Sequence, residues 1–204
     1  MEGLEEIEQH FDSRAARYHN PVTDFMGARE LRVIRRFVPA GSRVLDYGCG
    51  TGRTSLDHMR RGCDVTAYDL SREMLAIAEW RATAEGHAAE FTFDEGALEG
   101  RTWPLVTCIG VLDYYPDPLP LLRTLRDHLE PGGVLVVTYP NALSPLGWAY
   151  ALGSRMFTYP SNLRTPGAAR RAAAETGLRV TALRHAAPQL PPLGHTLVLA
   201  MEHA

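Results

Sequence analysis

Between residues 43 and 140 the chain alternates short apolar runs with helical stretches, and this constrains its fold more than any other feature. Arg43-Val44-Leu45-Asp46 reads as a strand that runs into a cluster of glycines, and residues 53–61 read as a helix closed by Gly62. Asp64 to Asp69 reads as a second strand. Ser71 is placed to cap a helix reaching about Glu85, with Glu73 set against the dipole and Gly86 as the stop. Glu90 to Asp94 is a third strand, and Leu105 to Val111 a fourth, apolar enough to be buried on both faces. Asp117-Pro118 opens a helix to Leu129, Pro131-Gly132-Gly133 turns the chain, and Val134 to Tyr139 is a fifth strand. Strands separated by helices need crossover connections. The pattern therefore predicts an α/β fold, a doubly wound, mainly parallel sheet with helices on both faces. Such sheets bind ligands at the carboxyl ends of their strands, where the strand order reverses.

The flanks extend this plan. Leu4, Ile7 and Phe11, then Leu31, Ile34 and Val38, fall at three- and four-residue spacing. They predict an N-terminal helical cap over residues 1–40, broken at His19-Asn20-Pro21. Residues 141–165 are a long connection carrying Trp148, Tyr150, Met156, Phe157 and Tyr159. Its length suits a lid over a fairly hydrophobic small molecule; packing against the sheet or a dimer contact are the alternatives. Thr165-Pro166 opens a last helix that Gly177 closes. Arg179 to Leu183 and Thr196 to Met201 are two final strands, a hairpin around Pro188, Pro191 and Pro192. The 204 residues suit one domain over 1–204, with a core at 41–140 and a C-terminal helix and strands at 166–204.

A formal net charge of −3 gives no basic excess for a phosphate backbone, which sets nucleic acid aside as a generic partner and leaves a small molecule. Cys49, Cys63 and Cys108 form no C-x-x-C pair and read as reduced thiols. The acidic start Met1-Glu2-Gly3-Leu4-Glu5-Glu6 lacks the basic and apolar regions of a signal peptide. The stretch 143–157 falls short of the roughly 20 apolar residues of a membrane span. A cytoplasmic protein is expected, without a membrane span, as a monomer or homodimer. No histidine pair has a spacing such as H-E-x-x-H, so no metal is expected.

The chemistry concentrates in Asp46-Tyr47-Gly48-Cys49-Gly50-Thr51-Gly52-Arg53. Glycines at alternate positions allow positive φ and let backbone approach a ligand, while the helix that follows directs free N–H groups and a positive dipole end at it. A P-loop would need Lys-Ser or Lys-Thr, which is absent. A dinucleotide turn would need a glycine at 53, where Arg53 stands. G-x-G-x-G preceded by Asp46 suits a ligand with a cationic part, such as the ammonium and sulfonium of S-adenosylmethionine. Asp69 falls at the end of the second strand, where a carboxylate can accept from ribose hydroxyls. In Asp94-Glu95-Gly96-Ala97 a carboxylate can accept from an adenine amino group, and Glu95 is favoured over Asp94.

D-x-G-C-G-T-G at 46–52, Y-D-L-S-x-x-M-L at Tyr68 to Leu75 and L-x-P-G-G-x-L at Leu129 to Leu135 together resemble the class I S-adenosylmethionine-dependent methyltransferases over about residues 40–140. The resemblance implies a Rossmann-like sheet of seven strands with the last antiparallel, S-adenosylmethionine as cofactor and S-adenosylhomocysteine as product. It implies that Asp46, Tyr47, Gly48 and Gly50 line the methionine portion, that Asp69 holds the ribose, and that Leu70 and Met74 lie beside the adenine. Glu95, Gly96 and Ala97 would border the adenine edge, Ile109 and Val111 would lie under the cofactor, and Tyr18 would reach over the site from the N-terminal helix. Two departures stand out: Glu95 replaces the commoner aspartate, and Asp113-Tyr114-Tyr115-Pro116 does not match the N-P-P-Y of amide and adenine N-methyltransferases.

Methyl transfer from a sulfonium is an in-line displacement in which alignment is the main task, and a base is needed only when the nucleophile arrives protonated. Asp113 and Tyr114 are the catalytic candidates, followed by Tyr115, His10 and His19. Asp113 reads equally as a loop cap before Pro116, the tyrosines as pocket wall and the histidines as surface residues. Cys49 reads as a small packing residue and Arg170-Arg171 as a solvated helix face. The function expected is methylation of a small organic molecule, at oxygen rather than nitrogen or carbon. The rivals are a nicotinamide-dependent oxidoreductase, a non-catalytic cofactor-binding protein and an RNA methyltransferase.

Overall fold

The computed structural model describes residues 9–13, 21–157, 160–186 and 193–204, without the side chains of 21–26 and 155–157. Within them, seven strands form one sheet in the order β3-β2-β1-β4-β5-β7-β6. The strands are β1 (Arg43–Tyr47), β2 (Asp64–Tyr68), β3 (Glu90–Thr92), β4 (Trp103–Cys108), β5 (Leu129–Pro140), β6 (Leu178–Ala186) and β7 (Thr196–His203). The first five pair in parallel, while β7 runs antiparallel to both β5 and β6. The order reverses between β1 and β4, which makes the carboxyl ends of those two strands the switch point where such sheets hold ligands.

Besides a short helical turn at 9–12, six helices accompany the sheet among the described residues: α1 (Pro21–Ile34), α2 (Arg53–Arg60), α3 (Arg72–Ala84), α4 (Leu119–Asp127), α5 (Pro145–Phe157) and α6 (Pro166–Glu175). Alternation within each strand sends side chains to two cores. Val44, Val65, Leu105 and Val136 meet Leu31 and Ile34 of α1, Leu56 of α2 and Ala78 of α3. Leu45, Val106, Leu135 and Leu199 meet Leu122 and Leu125 of α4 and Ala169 and Ala173 of α6. Each such leucine or valine, taken fully out of water, stabilises the fold by about 1.5–3 kcal/mol. Helices thus cover both faces, as the alternation predicts.

The cap chemistry is local and follows the sequence. Ser71 Oγ accepts from Met74 N at 3.2 Å, Thr165 Oγ1 accepts from Ala168 N at 3.1 Å, and Asp117 Oδ1 accepts from Leu119 N at 3.0 Å. Arg170 and Arg171 are exposed, as a solvated face requires.

Several segments differ from expectation. Pro131-Gly132-Gly133 does not precede the fifth strand but interrupts it: Leu129 already pairs with Trp103, and pairing resumes at Leu105 with Val134 after a register shift. Val38 lies beyond the end of α1, although it is buried. The connection after β5 is mostly helix, because α5 fills it from Pro145 to Phe157. Its start is pinned: Asn141 Nδ2 donates to Gly194 O at 2.9 Å, and Ser144 Oγ donates to Leu193 O at 2.8 Å. At the other end, Asn162 N and Nδ2 both donate to Asp113 O, at 2.7 and 2.9 Å. Leu4, Ile7, Tyr18, His19, Asn20, Tyr159, Pro188, Pro191 and Pro192 lie outside the described residues. No helix among the described residues is long and apolar enough to cross a membrane.

Candidate functional site

The turn between β1 and α2 is held from below. Gly48 N and Cys49 N both donate to Tyr68 O, at 2.7 and 2.9 Å, which ties the turn to the end of β2. Gly48 has φ 75° and Gly50 φ 54°, values that favour glycine. A Cβ on Gly48 would stand 2.4 Å from Val111 Cγ2, so the post-β4 segment packs directly on this backbone. A Cβ on Gly50 would meet nothing within 4 Å; the turn presents bare backbone to open space there.

That space is a cleft open to solvent at the carboxyl ends of β1 and β4, where such sheets hold ligands. Its floor is Gly48, Cys49 and Gly50 with Asp69, and one wall is Leu70, Met74, Ile109 and Val111. Thr51, Arg53 and Thr54 line the start of α2, where the leading N–H groups have no partner within the helix. Phe11, Tyr114 and Tyr115 close the aromatic side. Phe11 belongs to the short helical turn 9–12 and meets Tyr114 edge-on, with ring centroids 5.2 Å apart. His10 stacks edge-on against Phe11 at 5.3 Å.

Asp69 is the charged centre of the cleft. Its Oδ2 accepts from Gly50 N at 2.6 Å and its Oδ1 from Ser71 N at 2.9 Å. Burial pushes its carboxyl up to about 6; the two backbone N–H groups pull the other way, and the charges of Asp46 and Asp12 add to the rise. Asp12 also accepts from Ser71 Oγ, tying the N-terminal turn to the cap of α3. Each oxygen of a carboxylate has a second lone pair, so Asp69 can still accept from ligand hydroxyls.

Asp46 takes a different place from Asp69. It is buried and absent from the cleft lining. Its Oδ2 accepts from Ser55 Oγ at 2.6 Å and its Oδ1 from Thr107 Oγ1 at 2.8 Å, which joins β1, α2 and β4 beneath the turn. Tyr47 is also absent from the lining; its hydroxyl reaches Glu95 Oε1 at 2.5 Å. Glu95, Gly96 and Ala97 form a short 3-10 turn after β3 and are exposed, outside the cleft lining. Cys49 is buried, and burial pushes its thiol well up, so the nearby helix start does not activate it.

Of the two catalytic candidates, Tyr114 lines the cleft and Asp113 does not. Asp113 is 2% exposed, and its Oδ1 has no hydrogen-bond partner among the described residues. Burial pushes its carboxyl up to about 6. Burial likewise pushes the Tyr115 hydroxyl up to about 12, so it stays protonated at neutral pH and serves as a donor. Tyr18 and His19 lie outside the described residues.

Sequence reasoning missed three contributors. Phe11 registers there only as a helix-face position. Arg53 registers as the residue that breaks a dinucleotide turn; here Nη2 pairs with Glu30 Oε2 at 2.9 Å, bolting α1 to the start of α2. A Cβ on Gly27 would fall 1.8 Å from Arg53 Nη1, so the guanidinium occupies the room that glycine leaves on α1. The Tyr47–Glu95 bond has no local sequence signal.

Comparison with known proteins agrees with this geometry. A sequence-family model described as a methyltransferase domain matches residues 15–193. A ubiquinone biosynthesis O-methyltransferase of Xanthomonas axonopodis pv. citri is 35% identical over 124 residues, 59% of this chain and 52% of that protein. Its counterpart in Marinobacter nauticus is 29% identical over 154 residues, 70% of this chain and 64% of that protein. The chain thus spans roughly half to two thirds of the length of these curated relatives. Among solved structures, a magnesium protoporphyrin IX methyltransferase from Synechocystis PCC 6803, with bound S-adenosylhomocysteine, superposes with a TM-score of 0.77 at 18% identity and covers 97% of this chain and 98% of its own. It shares the fold.

Proposed function

Because this chain belongs to the methyltransferase-domain family, we propose that it methylates a hydroxyl of a small, fairly hydrophobic molecule, with S-adenosylmethionine as the methyl donor. The observation that carries this reading is the bond from Gly50 N to Asp69 Oδ2 at the floor of the cleft. It sets a carboxylate for a ribose beside bare glycine backbone for the rest of the cofactor, at the switch point of the sheet. The donor supplies a methyl group already activated by its sulfonium, and the protein's own part is to bind, align and exclude water.

In this reading Asp69 accepts from the ribose hydroxyls, and Gly48 and Gly50 let backbone approach the methionine portion. Asp46 supports the turn from beneath. Leu70, Met74, Ile109 and Val111 supply the apolar wall, and Glu95, Gly96 and Ala97 the adenine edge. Phe11, Tyr114 and Tyr115 face the acceptor and suit an aromatic or otherwise apolar substrate. Tyr114 orients the acceptor hydroxyl, and Asp113 sets the turn that carries it. Residues 141–165 serve as the lid over the substrate. The names of the ubiquinone biosynthesis relatives support oxygen as the accepting atom. The net charge of −3 supports a small molecule over nucleic acid. We place the protein in the cytoplasm, as a monomer or homodimer.

The test is transfer of a labelled methyl group from S-adenosylmethionine to a panel of catechols, phenols, amines and thiols. Label recovered as an O-methyl ether is expected. Label recovered only on nitrogen would overturn the acceptor assignment, and a donor bound without transfer to any member would favour a cofactor-binding protein without this activity.

A further inference from the structure

Tyr47 ends β1 and is 7% exposed, with its ring 4.6 Å from that of Tyr68 and inclined at 45°. Its hydroxyl crosses the end of β2 to reach the turn after β3, where it donates to Glu95 Oε1 at 2.5 Å. The two neighbouring carboxylates of that turn are thereby sorted. Asp94 Oδ1 accepts from Gly96 N at 2.9 Å and caps the turn's own backbone. Glu95 has one oxygen held by the buried phenol, while its Oε2 accepts no hydrogen bond among the described residues.

An exposed glutamate is free to sample many rotamers, and fixing it on a ligand costs that freedom. A hydrogen bond already formed in the free protein removes part of the cost. Burial and the Glu95 charge push the Tyr47 hydroxyl well above its ordinary pKa, so it remains a donor throughout the working pH range.

We propose that Tyr47 is a positioning residue for recognition of the adenine base: it holds Glu95 Oε1 so that Oε2 is aimed at the exocyclic amino group. The proposal rests on reading the cleft as a site for S-adenosylmethionine. It moves Tyr47 from the methionine end of the ligand, where its place in the motif puts it, to the adenine end. It also explains how a longer glutamate serves where the commoner residue is aspartate: the additional methylene adds freedom, and the phenol takes that freedom away.

A merely structural bond makes a different prediction, because Glu95 would then do no more than satisfy a buried hydroxyl. The two are separated by calorimetric titration with S-adenosylhomocysteine and with S-inosylhomocysteine, whose 6-oxo group turns a lone pair toward the carboxylate where adenine offers a proton. Wild type is expected to prefer the adenine compound by about tenfold or more. Tyr47→Phe keeps the ring and loses the hydroxyl. It should weaken S-adenosylhomocysteine several-fold and leave S-inosylhomocysteine unchanged. Glu95→Ala should remove the preference; it also leaves the buried Tyr47 hydroxyl without its partner, so the double variant with Tyr47→Phe, which has no orphaned hydroxyl, should show the same lack of preference. Equal weakening of both ligands by Tyr47→Phe would reduce the bond to a structural one and overturn the proposal. An undiminished preference in Glu95→Ala would overturn it too, by removing the carboxylate from the adenine. Wild type that binds neither compound would instead overturn the reading of the cleft itself, and the proposal with it.

Discussion

Asp113→Asn should stabilise the protein at neutral pH. The wild-type carboxyl is 2% exposed, its Oδ1 is without a partner among the described residues, and burial pushes it up to about 6. An ordinary aspartate sits near 3.9, so the gap is about two pKa units, or about 3 kcal/mol at 1.36 kcal/mol per unit. The sign follows from linkage. The folded state binds the proton more tightly than the unfolded state, so the stability associated with this group is present below about pH 4 and lost as pH rises through about 6. Asparagine, nearly the same shape and uncharged, does not suffer that loss. Urea denaturation should therefore show the variant more stable by up to about 3 kcal/mol at pH 8 and close to wild type at pH 4. Methyl transfer should fall at the same time if the carboxylate sets the turn that bears Tyr114. Equal stability at both pH values, or a variant less stable at pH 8, would refute the claim that this buried charge is held at a cost.

Gly48→Ala should destabilise the fold by about 2–4 kcal/mol and abolish binding of S-adenosylhomocysteine, since φ 75° disfavours a side chain and the new Cβ meets Val111 at 2.4 Å; adding Val111→Ala should recover stability but not the part owed to φ. Affinity for S-adenosylhomocysteine should be flat above pH 7 and drop up to about tenfold per pH unit below about 6, as the free carboxyl of Asp69 takes up its proton; titrations that stay flat to pH 5 would exclude an ionised Asp69 as the ribose acceptor. Thr165→Ala, which deletes the bond from Ala168 N to Oγ1, should cost about 1 kcal/mol in urea denaturation with activity unchanged.

The parts of this molecule written in short-range chemistry were legible in the sequence. Gly48 and Gly50, Asp69 at a strand end, and the caps Ser71 and Thr165 each declare themselves within a few residues, and the strand–helix alternation forces the parallel sheet. Helix α5 was not legible as a helix. Leu146, Trp148, Tyr150 and Leu152 are exposed while Ala151 and Ser154 are buried, so apolar residues surround its axis and leave no polar face to set a period. The destinations of Asp46, Tyr47 and Asp113 were hidden for another reason. Strand alternation sends Asp46 under the turn toward Ser55 and Thr107, and turns the next residue, Tyr47, to the opposite face toward Glu95. Those partners are between 9 and 61 residues away in the chain, so register and tertiary packing choose them. Arg53 shows the same limit: its motif position excluded one cofactor class, while its actual partner is Glu30, on a helix before the turn.

The central claim, that the cleft above Gly50 and Asp69 holds S-adenosylmethionine, is tested most directly by calorimetry with S-adenosylhomocysteine, with NADH as a parallel ligand and Asp69→Ala as control. Saturable binding of S-adenosylhomocysteine alone, lost or strongly weakened in the variant, is the predicted result. Binding of NADH alone, or equal affinity in wild type and variant, would contradict it.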